Sequence, residues 1–154
     1  MKTLIIGGGL SGLALAEMLE TNGQDYLLLE ARERFGGRIM TEQLGDARFD
    51  LGPAWFWPGQ SRIAKLISRL GLKKFDQFAS GDLIFEDESG SVKRGYGFAS
   101  MQGSWRLDGG LSALTQALAE KLPPERKRLN SPVEKVEMAD GIGRVTLADG
   151  NRFE

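Results

Sequence analysis

The sequence contains no cysteine and no histidine. The first absence excludes disulfides, thiolate nucleophiles and cysteine-based metal sites. The second removes imidazole acid/base catalysis, and a zinc site built from carboxylates alone would be unusual. No metal site and no catalytic residue is therefore assigned. A dominant charge is also lacking: 20 basic residues stand against 21 acidic ones, for a net charge of −1. Such balance gives no electrostatic ground for a nucleic-acid partner or for an anionic membrane surface. No run reaches the roughly 20 apolar residues that span a bilayer. The opening segment, a lysine before an apolar run, has some features of a secretory signal. Gly7, Gly8 and Gly9 interrupt it, and each would cost a helix about 1 kcal/mol. A soluble cytoplasmic chain is the default expectation.

What is present is a chain of 154 residues, 41% hydrophobic and 27% charged, with 21 glycines. That length supports one domain with a real core. The predicted order opens with a short buried strand over residues 2–6. A helix follows over 10–21, with Leu13, Ala16 and Leu19 toward a sheet, ended by Gly23. A second apolar strand covers 26–30. Strand, glycine turn, helix and strand within about thirty residues make a βαβ unit. Further on, a short strand is expected at 48–52. An amphipathic helix is expected at 60–70, with Ile63, Leu66, Ile67 and Leu70 on one face and Gly71 after it. Residues 83–93 read as a hairpin. A helix over 111–121 stops at Pro123 and Pro124. Strands close the chain at 126–130, 133–138, 143–147 and 151–154, with turns at Asp140-Gly141 and Asp149-Gly150.

The chemistry lies in the glycine clusters. Gly7-x-Gly9-x-x-Gly12 falls between the first strand and the first helix. Gly7 permits the tight turn, Gly9 admits a pyrophosphate against bare backbone, and Gly12 lets the helix pack close to the strand. The N–H groups at Leu10 and Ser11 open the helix, where the dipole favours phosphate oxygens. The motif alone is a weak signal; the strand before it and helix after it strengthen it. Glu30 ends the second strand at about the place where an acidic side chain accepts hydrogen bonds from a ribose. Its alternative is a solvated strand-end carboxylate. These two marks imply a dinucleotide, either NAD or FAD.

The next segment, Glu30-Ala31-Arg32-Glu33-Arg34-Phe35-Gly36-Gly37-Arg38, resembles the stretch after the second strand in the flavin monoamine oxidase superfamily. That group includes amine and polyamine oxidases, protoporphyrinogen oxidase and phytoene-type desaturases. The resemblance implies FAD, with Gly36, Gly37 and Arg38 near its phosphates, Arg32 toward the adenosine end, and Ala31 among the cofactor-binding residues. A charge-assisted donor beside a pyrophosphate suits Arg38, whereas Arg34 reads as an exposed basic loop residue. A third mark, Phe49-Asp50-Leu51-Gly52-Pro53-Ala54-Trp55-Phe56-Trp57, resembles the segment that passes the flavin ring and ribityl chain. It implies contacts from Gly52, Pro53, Ala54 and Trp55, although Pro53 removes one N–H donor. The aromatic trio could equally be core. A fourth mark, Trp105 to Leu114 with Gly109-Gly110, resembles the family's Gly-Gly turn and its helix. The match of residues 132–136 to the family implies that Val133 pairs with adenine through its main chain; an ordinary buried strand residue is compatible with the same position.

The implied fold is α/β: a Rossmann-like FAD-binding domain of the glutathione-reductase/amine-oxidase type, with a β-meander and a truncated substrate region. The whole of 1–154 is expected to be one incomplete FAD-binding domain, with 72–108 as a reduced substrate-region insertion. Two departures from the family stand out. The middle region is short, and the family's later motifs, including a lysine near flavin N5 and a Gly-Asp segment, find no counterpart. Either a C-terminal segment is missing, or the chain completes its site by homo-oligomerisation or with another polypeptide. The leading expectation for function is hydride transfer from a small-molecule amine to flavin N5. FAD is expected to be held non-covalently, since the usual cysteinyl and histidyl links have no residue to form on. Two alternatives stay open: a flavin-binding module without catalysis of its own, and a desaturase or protoporphyrinogen oxidase relative.

Overall fold

Tyr26-Leu27-Leu28-Leu29 is apolar throughout and buried at every position, as expected of a parallel strand covered on both faces. In the computed structural model, which describes residues 3–95, 101–139 and 141–154, this strand is the centre of the first sheet. From the N-terminus the elements are β1 (Thr3–Ile6), α1 (Leu10–Thr21), β2 (Tyr26–Leu29), β3 (Thr41–Leu44) and β4 (Ala47–Asp50). They continue with α2 (Ser61–Arg69), β5 (Lys74–Asp76), β6 (Ile84–Glu86), β7 (Val92–Arg94) and β8 (Trp105–Leu107). The chain ends with α3 (Ser112–Lys121), β9 (Lys127–Arg128), β10 (Val133–Ala139), β11 (Ile142–Leu147) and β12 (Arg152–Phe153). Lys2 and Asp140, which the sequence assigned to a strand start and a turn, lie outside the described residues.

The chain divides into two units, Met1–Pro53 with Gly109–Glu154, and Ala54–Asp108. In the first unit β1 and β9 flank β2, both parallel to it. Side chains alternate along β2. Leu27 and Leu29 pack on Val145 and Leu147 of the antiparallel β10-β11-β12 meander, joined by Leu4, Val133 and Phe153. The other face is left to α1, which packs on β1, β2 and α3. Leu13, Ala16, Leu28, Leu114 and Leu118 have no exposed surface, and burying each leucine contributes about 1.5–3 kcal/mol. Helix α1 and its three inward residues match the sequence reading.

The β3–β4 hairpin was legible only in its second strand. Thr41 faces Asp50 across it. The Thr41 hydroxyl donates to Asp50 Oδ1 (2.6 Å), which also accepts from the Leu111 N–H (2.8 Å). Thr41 Oγ1 in turn accepts from the Ser112 N–H (3.0 Å). The start of α3 is thus capped by a distant hairpin, with a carboxylate placed where the helix dipole favours it. Gly110 makes the approach feasible, since a Cβ there would run into Thr41 and lie 2.9 Å from Asp50 Oδ1.

In the second unit α2 presents Ile63, Leu66, Ile67 and Leu70 inward as expected, with Ile67 buried. The expected hairpin is present as β6–β7. Strand β5 pairs with β8, a pairing no sequence pattern announced. Phe56 exchanges two main-chain hydrogen bonds with Trp105 (2.9 and 2.8 Å) and sits 5.7 Å from its ring. Lys74 Nζ lies 3.0 Å from the centre of the Trp105 ring. Of the aromatic trio, Phe56 is core, while Trp55 and Trp57 are exposed.

Replacing Thr41 by valine keeps the shape and removes both hydrogen bonds of the Thr41 hydroxyl, one to Asp50 and one from the Ser112 N–H of α3, while the Leu111–Asp50 bond remains. The expected loss is about 1–2 kcal/mol, read as a lower urea midpoint with an unchanged slope. An unchanged midpoint would show that the Thr41 hydroxyl does not hold the helix.

Candidate functional site

The first turn is built from backbone. Gly7 has φ +104 and donates its N–H to the Leu29 carbonyl (2.8 Å), binding the turn to the end of β2. A Cβ at Gly12 would collide with the Gly7 carbonyl oxygen and come within 3.4 Å of Ile5. The close approach anticipated between helix and strand is therefore first an approach between helix and turn. Helix α1 starts after Gly9 with no side-chain cap and no acidic residue in its first turn. The amides of Leu10, Ser11 and Gly12 stand at the positive end of the helix dipole.

Glu30 lies just beyond β2 and is 7% exposed, so it is not a solvated strand-end group. Its carboxylate accepts from the Gly8 N–H (2.6 Å) and the Arg32 N–H (3.0 Å). A buried carboxylate needs such donors. Each oxygen keeps lone-pair capacity for a further donor. The Phe35 ring covers Gly8 so closely that a Cβ there would strike it. Phe35 is a positioning contact that the sequence reading did not single out.

The loop after Glu30 meets the first turn directly. Gly36 donates to the Gly8 carbonyl (2.8 Å), and a Cβ on Gly37 would lie 3.1 Å from the Gly9 Cα. Gly36 and Gly37 have φ of +116 and +61, the region that favours glycine. Arg34 corrects the expectation of an exposed basic residue. It is half-buried, and its guanidinium donates to the carbonyls of Phe35 (3.3 Å), Ile39 (3.2 Å) and Gly37 (3.0 Å). Arg32 reaches the same Gly37 carbonyl at 3.4 Å, a marginal contact. Arg38 is exposed, and among the described residues no carboxylate pairs with it.

Gly52 completes the arrangement, since a Cβ there would collide with the Arg38 carbonyl oxygen. These segments enclose a crevice of about 1070 Å³. Every predicted position from Gly7 to Pro53 lines it: Gly7, Gly9, Leu10, Ser11, Gly12, Glu30, Ala31, Arg32, Gly36, Gly37, Arg38, Gly52 and Pro53. Ile6, Ile39 and Leu51 also line it and were missed. Ile6 and Ile39 adjoin quoted motifs and Leu51 lies within one, and Ile6 and Leu51 are apolar yet at least half exposed; position in or beside the motifs was the available signal. Ala54 and Trp55 belong to the second unit. Val133 pairs with Leu147, and its side chain packs on the β2–β11 core. The residues present suit a dinucleotide: an uncapped helix start, bare glycine backbone, a buried carboxylate and a free guanidinium share one crevice. Among the described residues no carboxylate cluster could hold a metal ion, and no helix is long and apolar enough to cross a membrane.

The family of flavin containing amine oxidoreductases matches this chain over residues 10–95 and 82–154. A probable flavin-containing monoamine oxidase A of Dictyostelium discoideum is 28% identical over 130 residues, covering 83% of this chain and 28% of that protein. The human flavin-containing amine oxidase B is 40% identical over 73 residues, covering 47% of this chain and 14% of its own length. The chain thus spans less than a third of the length of these relatives. Putrescine oxidase bound to putrescine superposes with a TM-score of 0.84 at 19% identity, over 99% of this chain and 56% of that one. That likeness shows a shared mixed α/β fold. The chain belongs to the flavin-containing amine oxidoreductase family, and the cofactor class this membership implies is a flavin.

Proposed function

We propose that this chain holds FAD non-covalently in a Rossmann-like site and forms the cofactor-binding part of an oxidoreductase acting on amines. One observation carries the reading: the open N-terminus of α1, the two glycine turns and buried Glu30 converge on a single crevice. The pyrophosphate would lie over the turn from Gly7 to Gly12, with the α1 amides and Arg38 as donors. Glu30 would accept from the ribose while its two main-chain donors hold the carboxylate in place. Roles for Ala54 and Trp55 on the ring side and for Val133 against the adenine rest on the resemblance alone. A bound flavin supplies the hydride acceptor for amine oxidation. The residues of this chain bind and orient it, and none of the 154 is a cysteine or histidine able to carry the usual covalent link.

A second reading, a flavin-binding module without catalysis of its own, is favoured by the lining itself. Its ionisable members are Glu30, Arg32 and Arg38, all suited to holding an anionic, hydroxylated ligand. Hydrogen peroxide production across an amine panel separates the two. Turnover supports the oxidase, and FAD bound without peroxide from any amine supports the module.

Two substitutions test the site. Gly12→Val forces α1 off the Gly7 carbonyl, and Glu30→Gln sets an amide NH2 against a main-chain donor. Each is expected to weaken FAD binding about tenfold or more, with the circular dichroism spectrum kept. Fluorescence titration giving wild-type dissociation constants for both would remove the pyrophosphate and ribose assignments. Acid precipitation of the FAD complex should leave the flavin in the supernatant; a yellow pellet would contradict non-covalent binding.

A further inference from the structure

We propose that Arg34 is a positioning residue that turns the main-chain N–H of Arg38 toward the phosphates of the bound dinucleotide, an inference that rests on the FAD reading of the crevice. The argument starts from two peptide planes. A trans peptide holds its N–H opposite its carbonyl, and the described chain has no cis bond. In the Phe35–Gly36 peptide, the carbonyl accepts from Arg34 Nη1 (3.3 Å). The N–H of Gly36 accordingly points the other way and donates to Gly8 (2.8 Å). In the Gly37–Arg38 peptide, the carbonyl accepts from Arg34 Nη2 (3.0 Å) and, at 3.4 Å, from Arg32. By the same geometry the N–H of Arg38 points away from the Arg34 guanidinium. There it has no main-chain acceptor among the described residues.

Gly37 and Arg38 both line the crevice, and Gly37 lies against Gly9 at the foot of α1. The Arg38 amide therefore adds a donor opposite the uncapped amides of the helix. Successive N–H groups presented by such turns make anion-binding concavities. The residue type matters. A planar guanidinium with a fork of donors can hold the carbonyls of Phe35, Gly37 and Ile39 at once. A lysine ammonium would supply one mobile point of charge. Since no carboxylate pairs with Arg34 among the described residues, its hydrogen bonds are spent on the loop.

The test uses the full chain labelled with ¹⁵N and titrated with ADP or with adenosine. The expected result is a large downfield shift of the Arg38 amide with ADP and none with adenosine. In Arg34→Lys, FAD and ADP should bind about tenfold more weakly, the scale of one hydrogen bond to a charged group, while adenosine affinity stays unchanged. An Arg38 amide unmoved by ADP overturns the proposal. So does wild-type ADP affinity in the variant, or an equal loss for adenosine, which would mark a general collapse of the loop. If Arg34→Lys does not fold, Arg34→Gln in the same ADP and adenosine titrations decides, with weaker ADP binding and unchanged adenosine binding expected and wild-type ADP affinity overturning the proposal. A wild-type chain that binds neither FAD nor ADP overturns the FAD reading itself, and is distinguishable from every outcome above.

Discussion

Backbone lying directly on backbone is the constraint from which the crevice follows. Gly12 rests on the Gly7 carbonyl, Gly37 on the Gly9 Cα, and Gly52 on the Arg38 carbonyl. At none of these points is there room for a methyl group without displacement of main chain. Each contact joins two segments far apart in sequence or turns the chain sharply within one. The first fixes the helix to its turn, the second fixes the loop after β2 to that turn, and the third fixes the segment after β4 to the loop. Loss of any one would move a wall of the crevice. The glycine clusters are thus a set of mutual approaches, and their wide spacing in sequence reflects which segments must touch.

Glu30 supplies the electrostatic counterpart. Burying a carboxylate is unfavourable unless hydrogen bonds replace water, and here the Gly8 and Arg32 amides do so. The same side chain thereby ties the glycine turn to the loop that follows β2 and keeps acceptor capacity toward the crevice. Arg34 acts similarly from the other side of that loop, through carbonyls in place of amides. An acid and a base of opposite charge, four residues apart, hold one short loop by its two kinds of main-chain group. Under the proposed FAD reading, cofactor affinity and loop order are coupled, because the groups that hold the loop are also those that shape the wall.

Much of this was readable from residue types. Helix α1 follows from Leu13, Ala16 and Leu19, and β2 from an unbroken apolar run. The crevice lining follows from the glycine motifs because glycine at those places has a steric cause. The unread parts have causes too. Strand β3, Thr41-Glu42-Gln43-Leu44, has no buried position, so no alternation marks it. It exists because the Thr41–Asp50 pair caps α3, a tertiary demand without local periodicity. Strands β5 and β8 pair across residues 77–104, too far apart for turn chemistry to announce. Arg34 was misread because an arginine bonded to nearby carbonyls has the same sequence signature as one in solvent. Asp50, read as part of a flavin-side segment, is seen holding a helix.

The two helix starts of the first unit make the final contrast. The opening turn of α3 is closed by Asp50 and Thr41, brought from a hairpin 61 and 71 residues away in sequence. The opening turn of α1 has no side-chain cap and no acid nearby in its own first turn. Both helices leave amides without intrahelical partners, and a cap is worth about 1 kcal/mol. A fold that caps one helix by such a long-range arrangement does not lack the means to cap the other. The uncapped one faces the crevice, beside a free guanidinium and bare glycine backbone, and under the proposed reading a bound phosphate supplies the missing partner. An anion that binds there would raise the stability of the folded chain by mass action. Under the proposed FAD reading, the open end of α1 is the place where a dinucleotide phosphate gains most.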